Sequence, residues 1–171
     1  MKTCPGGPAT AFDFEPLICE EKVYRRADNN FTNIEVRACS DDSLITTLTG
    51  HTYSVRCLII DDGKLYCGSG DNTIEIWNCS TDTLIKTLTG HTSGVRCLTI
   101  DDGKLYSGSY DKSVKVWNCS DHKLITTLGV KDCESEGENV YEGHTRAVRC
   151  LTAYDGKLYS GSFDNTSRCG I

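Results

Sequence analysis

Val55-Arg56-Cys57-Leu58-Ile59-Ile60-Asp61-Asp62-Gly63-Lys64-Leu65-Tyr66-Cys67-Gly68-Ser69-Gly70-Asp71-Asn72-Thr73-Ile74-Glu75-Ile76-Trp77-Asn78 is the stretch whose reading decides the fold. Val55 to Ile60 is a near-continuous apolar run stopped by Asp61-Asp62-Gly63, a turn signal. Lys64 to Ser69 reads as a second strand, closed at Asp71. Ile74 and Ile76 alternate with Glu75 and Trp77, the period of two expected of a third strand. Leu84 to Leu88 supplies a fourth. No part of the chain carries a sustained helical period, so the fold class is all-β.

The same unit returns along the chain. Val-Arg-Cys-Leu recurs at 95–98 and 148–151, Gly-His-Thr at 50–52, 90–92 and 143–145, and Asp-Gly-Lys-Leu-Tyr at 62–66, 102–106 and 155–159. Gly-Ser-x-Asp ends at Asp71, Asp111 and Asp164, and Trp-Asn-Cys-Ser stands at 77–80 and 117–120. The spacings are 40 residues and then 53, and a fixed period of this size marks a repeat architecture. Gly-His, then about 26 residues, then Trp-Asn, in a unit of four strands, resembles the WD-repeat family. The family pattern has Asp after the Trp, where this chain has Asn78 and Asn118.

The resemblance implies a partial β-propeller of about three and a half four-stranded antiparallel blades. A tail at 1–10, with Pro5, Gly6, Gly7 and Pro8, precedes a divergent first repeat at 11–50, which lacks Gly-His and has Arg37 in the Trp position. Further repeats are expected at 51–90, at 91–143 with an acidic insertion at 129–141, and at 144–171. The last of these has Gly170 where Trp is expected. Family propellers close with six to eight blades, so two expectations stand. The chain is a fragment of a longer product without independent activity, or two copies form a homodimer that completes one ring.

Composition narrows the function. Of 171 residues, 18 are Lys or Arg and 24 are Asp or Glu, and the net charge of −6 repels phosphate backbones and anionic membranes. Neither a nucleic-acid nor a membrane partner is expected. No apolar run is long enough to span a bilayer and no secretory h-region opens the chain, so a cytoplasmic or nuclear location is expected. The 11 cysteines are copies of the repeat, such as Cys57, Cys97 and Cys150, and none is spaced Cys-x-x-Cys. Neither metal nor cofactor is expected. The Asn-x-Ser/Thr triplets at Asn30, Asn78, Asn118 and Asn165 carry no weight without a secretory signal.

His51, Ser69 and Asp71 recur as His91, Ser109, Asp111 and as His144, Ser162, Asp164, at constant offsets of 18 and 20. Read alone they suggest Ser-His-Asp hydrolysis, but a hydrolase needs one site and this set occurs in every unit. In the WD-repeat family these residue types, with a Trp such as Trp77 or Trp117, form a buried hydrogen-bond network within each blade, and no enzyme is expected.

Arg56, Arg96 and Arg149 resist a structural account, because a core position is not ordinarily cationic. Period-two alternation puts each on the face of Leu58 and Ile60 or their counterparts. In the family this strand starts at the ligand-binding top face, which implies an arginine cluster suited to an acidic or phosphorylated peptide. The competing account pairs each arginine with a neighbouring acid. Tyr110 and Phe163, just before the turn aspartates, are expected to flank the ligand. The repeats are most like those of F-box/WD and TRAF-type ubiquitin ligases and of myosin heavy chain kinases. The expected function is therefore a non-catalytic protein-interaction scaffold, with a ubiquitin-ligase substrate receptor as one setting. The insertion, with Asp132, Glu134, Glu136 and Glu138, is expected either to be a solvated loop or to fold over the arginines under control of Ser135 or Tyr141 phosphorylation.

Overall fold

The computed structural model describes residues 17–19, 21–28, 30–129 and 143–170. The tail at 1–10 and most of the acidic insertion, with Ser135 and Tyr141, lie outside the described residues. Among the described residues, fifteen strands form four antiparallel sheets in simple up-and-down order. The first sheet holds β1 (Leu17–Cys19), β2 (Lys22–Arg26), β3 (Ile34–Ala38) and β4 (Leu44–Leu48). The second holds β5 (Val55–Asp61), β6 (Lys64–Ser69), β7 (Ile74–Asn78) and β8 (Thr83–Leu88). β9 (Val95–Asp101), β10 (Lys104–Ser109), β11 (Val114–Asn118) and β12 (Leu124–Leu128) make the third. β13 (Val148–Tyr154), β14 (Lys157–Ser162) and β15 (Ser167–Gly170) make the fourth. The all-β, unclosed array of blades expected from the repeats is what the chain forms. Among the described residues no helix is long and apolar enough to cross a membrane.

Turn chemistry explains the regularity. Between β5 and β6, Asp62 and Gly63 have φ of 46° and 65°, and Asp102-Gly103 and Asp155-Gly156 repeat this. Two left-handed residues in a two-residue loop match the twist of the strands they join. After each Trp, the Asn side chain closes the next turn. Asn78 Oδ1 accepts from the Ser80 and Thr81 amides at 2.9 and 3.0 Å, and Asn118 Oδ1 from Ser120 at 2.7 Å. The turn from β6 to β7 places Asn72 at φ 75°, and Asn165 is likewise left-handed at 63°, but the third sheet puts Lys112 there at 73°. A lysine Cβ crowds the carbonyl in that region, where Asn is tolerated. Lys112→Asn is expected to raise stability by about 0.5–1 kcal/mol in urea denaturation, and an unchanged midpoint would count against a strained turn.

Successive sheets pack face to face, and the core lies between them. Tyr24, Ile34, Val36 and Leu48 of the first sheet meet Val55, Leu65 and Trp77 of the second. Tyr66, Ile74, Ile76 and Leu88 meet Val95, Leu105 and Trp117 of the third, and Tyr106, Val114 and Val116 meet Val148 and Leu158 of the fourth. Gly68 and Gly108 let the sheets approach: a Cβ at either would stand 2.7 Å from Cγ1 of Val95 or Val148. Cys67, Cys79 and Cys119 are buried core filling, whereas Cys39, Cys150 and Cys169 are exposed. Burial pushes the Cys57 thiol up to about 12 and holds Cys67 and Cys97 well above their ordinary value, which suppresses thiolate chemistry. One corner of the first junction is also clamped by polar groups. Lys22 Nζ reaches Asp82 and the Cys79 carbonyl, both at 2.8 Å, while the Tyr24 hydroxyl donates to that carbonyl at 3.0 Å.

Candidate functional site

Two sets of recurring residues occupy different places in each sheet. The histidines are buried at the mouth of the first hairpin, with 6%, 7% and 4% exposure for His51, His91 and His144. In the third sheet, Trp117 Nε1 donates to Ser107 Oγ at 2.9 Å. Ser107 Oγ lies 2.8 Å from His91 Nε2, and His91 Nδ1 lies 2.7 Å from Asp111. With the imidazole proton on Nδ1, the chain runs in one direction, Trp to Ser to His to carboxylate, and every buried polar atom in it is paired. Burial alone would raise the Asp111 pKa, but hydrogen bonds from His91 and Ser113 together hold it far below the usual carboxylate range. The fourth sheet repeats the arrangement with Ser160, His144 and Asp164.

The sequence reading put Ser69, Ser109 and Ser162 in this chain, and the structure places them elsewhere. Ser109 Oγ donates to the Ser93 carbonyl at 2.8 Å and accepts from the Asp111 amide at 3.0 Å. Ser69 bonds the Tyr53 carbonyl and Ser162 the Arg146 carbonyl in the same way. Both serines of Ser107-Gly108-Ser109 share a strand face, and the inner one reaches the imidazole. Ser107, His91 and Asp111 have the connectivity of a catalytic triad, yet Ser107 is fully buried and its oxygen receives the Trp117 N–H. A substrate carbonyl has no approach to it.

The second sheet solves the same problem differently. Cys67 replaces the serine, His51 Nε2 faces the Cys67 carbonyl at 3.2 Å, and Trp77 Nε1 donates instead to Glu75 at 3.2 Å. Burial raises the Glu75 pKa, opposed by His51 at 3.6 Å and by the Trp77 hydrogen bond. Gly50 makes room for it, because a Cβ there would collide with the Glu75 carboxylate.

The arginines occupy a feature the sequence did not disclose. Val55 pairs with Ser69 and Cys57 with Gly68, so Arg56 is the extra residue of a β-bulge. Arg96 and Arg149 are the extra residues at the same point of their strands. The expectation that each shares the face of Leu58 and Ile60 is corrected by this bulge, which breaks the alternation and re-aims the side chain. Leu58 and Ile60 pack toward the first sheet, whereas the Arg56 guanidinium stands 5.3 Å from the Tyr110 ring centre in the third. Arg96 lies 5.9 Å from the same ring, and Arg149 lies 4.4 Å from Phe163. Tyr110 and Phe163 thus sit beside the arginines.

Among the described residues, no carboxylate comes within ion-pairing distance of Arg56, Arg96 or Arg149, although seven other Lys or Arg ion pairs are formed. Arg56 Nε is buried without a hydrogen-bond partner. Tyr53, which the sequence reading passed over, is 56% exposed and belongs to the same cluster. A Cβ at Gly70 would lie 2.4 Å from the Tyr53 ring and 3.2 Å from Arg56 Nε, so Gly70 is the gap that lets both approach. The turn Ser93-Gly94 in the next repeat holds no aromatic at this place, which is why the repeat pattern gave no signal for it.

Comparisons with known proteins accord with this architecture. The designed Ika4 protein is similar with a TM-score of 0.74 at 23% identity, over 90% of this chain and 87% of that one. The designed Ika8 protein matches at 0.72 and 23% identity, over 90% and 44%. The WD40 β-propeller domain of Doa1 matches at 0.72 and 23% identity, over 89% and 47%. The chain therefore spans about half the length of these last two. No curated protein gave a sequence match. The family model described as WD domain, G-beta repeat matches residues 38–78, 82–118 and 136–169, and with its recurring His–Asp pairs and its packed antiparallel sheets the protein belongs to that WD40 family.

Proposed function

We propose that the chain is a protein-interaction module whose bulge arginines take an acidic or phosphorylated peptide. WD40 domains generally bind other proteins, and the present reading adds a ligand chemistry. The observation that carries it is the row of three guanidiniums, one from each of the second, third and fourth sheets, stacked against aromatic rings and without carboxylate partners among the described residues. A guanidinium held against a ring keeps its N–H edges available, and those edges match an oxyanion with two parallel hydrogen bonds. The same stacking occupies Tyr110 and Phe163 with cations, which disfavours a positively charged ligand. Placement in a ubiquitin-ligase assembly rests on the likeness of the repeats to F-box/WD receptors, and any transfer activity would belong to a partner.

Fluorescence anisotropy with a labelled peptide, phosphorylated and unphosphorylated, tests the reading. The phosphorylated form should bind more tightly, with affinity falling as salt rises. Arg56→Glu combined with Arg96→Glu should weaken binding by about 100-fold or more, since two charge-assisted contacts become repulsive. Equal affinity for both peptides, or an indifferent double variant with an intact circular-dichroism spectrum, would overturn it.

A further inference from the structure

Among the described residues, no sheet covers the far face of the fourth sheet. Between interior sheets, Gly68 and Gly108 touch a valine of the following sheet, whereas Gly161 meets only Cys150 Sγ. Tyr159 is 40% exposed, against 0% for its counterpart Tyr66 and 6% for Tyr106. A cleft of about 320 Å³ bordered by Cys150, Thr152, Tyr159 and Cys169 runs over this face. Another of about 460 Å³ lies beside Arg149 and Ser167. The first sheet has an outward face of its own, because Tyr24, Ile34 and Val36 turn toward the second sheet and their neighbours turn away.

The two faces depart from the interior pattern at matching places. On the fourth sheet, Ser167 and Cys169 stand where Ile74 and Ile76 stand in the second. On the first sheet, Arg25 and Arg37 stand where Ser107 and Trp117 stand in the third, and both are held by Glu35 at 3.3 and 2.8 Å. Small polar groups on one face therefore answer arginines on the other. The polar clamp is also available. At the first junction Lys22 and Tyr24 reach Asp82 and the Cys79 carbonyl. Lys157 and Tyr159 hold the positions of Lys22 and Tyr24 in β14, while Asp42 and Cys39 hold those of Asp82 and Cys79. Asp42 and Asp82 share the same left-handed turn geometry, at φ 57° and 55°, and the Asp42 side chain is 63% exposed.

We infer that the fourth sheet of one copy docks on the first sheet of a second copy, with Lys157 and Tyr159 seated on Asp42 and the Cys39 carbonyl of that copy. Each copy offers one face of each kind, so two identical seams close a ring of eight sheets by a two-fold rotation. The occupant is set by the fit of the clamp and by polar groups opposed to polar groups. A partner with an ordinary apolar blade face would bury Ser167 and Cys169 against hydrocarbon.

Light scattering on the eluting chain should give one species at twice 18.8 kDa. Asp42→Lys alone and Lys157→Glu alone should each weaken association by about tenfold or more, because each change places like charges at both seams. Mixing the two monomeric variants should restore the dimer, since a mixed ring has one native seam and one with the charges exchanged. A misfolded variant would not be rescued in this way. A wild-type monomer, an open polymer, a dimer insensitive to either substitution, or folded variants that fail to recombine would each overturn the inference.

Discussion

Trp117→Ala is expected to destabilise the protein by about 3–5 kcal/mol, the range for removing a buried aromatic side chain and leaving its cavity. Trp117 is 4% exposed and lies in the cluster that joins the second and third sheets, beside Tyr66, Ile74, Leu88 and Leu105. Its loss empties the junction and also orphans the head of the hydrogen-bond chain, because Ser107 loses the N–H it accepts. Against a total stability of about 5–15 kcal/mol, this is a large fraction, and the denaturant midpoint should fall accordingly. Trp117→Phe separates the two contributions. It keeps a phenyl ring in the junction while deleting the N–H and the rest of the indole, so an intermediate loss of about 1–3 kcal/mol is expected. If alanine cost no more than phenylalanine, the junction would not depend on this side chain for packing.

Asp111→Ala should cost about 3–5 kcal/mol, through the donors it strands rather than through volume. One carboxylate oxygen accepts from His91 and from the Thr92 amide at 3.0 Å, and the other from the Ser113 amide and hydroxyl at 2.9 and 2.6 Å. The wild-type group also fixes an acid limit. Its folded pKa lies below the ordinary 3.8, so its contribution is fully present above that value and is lost as pH falls through the depressed one. Asp71 and Asp164 are shifted in the same direction. Glu75 works the other way: its raised pKa makes the folded state favour the protonated carboxyl, an advantage lost as pH rises through that raised value. Urea melts between pH 3 and 7 should therefore show a constant gap between wild type and Asp111→Ala that begins to narrow as pH falls below 3.8. A gap independent of pH would show that the carboxylate charge is not what is lost.

Most of the scaffold was legible because its signals are local. Asp62-Gly63 and its copies specify the first hairpin, alternation at Ile74 and Ile76 specifies a half-buried strand, and the fixed period multiplies both. The bulge was not legible, since an inserted pairing residue leaves the residue types of Val-Arg-Cys-Leu unchanged and shows only in the register across to β6. The same limit displaced the serine assignment. Ser107 and Ser109 are two apart on one face, and composition cannot say which depth the imidazole occupies. Cys67 in the second repeat held a partial clue, because a thiol there obliges the neighbouring Trp77 to find another acceptor. Tyr53 escaped because its place is aromatic in one repeat only, and its proximity to Arg56 depends on the missing side chain at Gly70.

The bulge separates two demands that most strand positions must meet together. A residue in register contributes to the ladder and to a face, so replacing it disturbs both. Arg56, Arg96 and Arg149 stand outside the pairing that binds β5, β9 and β13 to their neighbours. Each is free to vary without re-tuning the hydrogen bonds beneath it, the valine before it or the leucine beyond it. On the proposed reading, recognition is thereby written in separate letters, one in each of the three bulged blades. A designer, or a lineage, can change one letter at a time and leave the page intact.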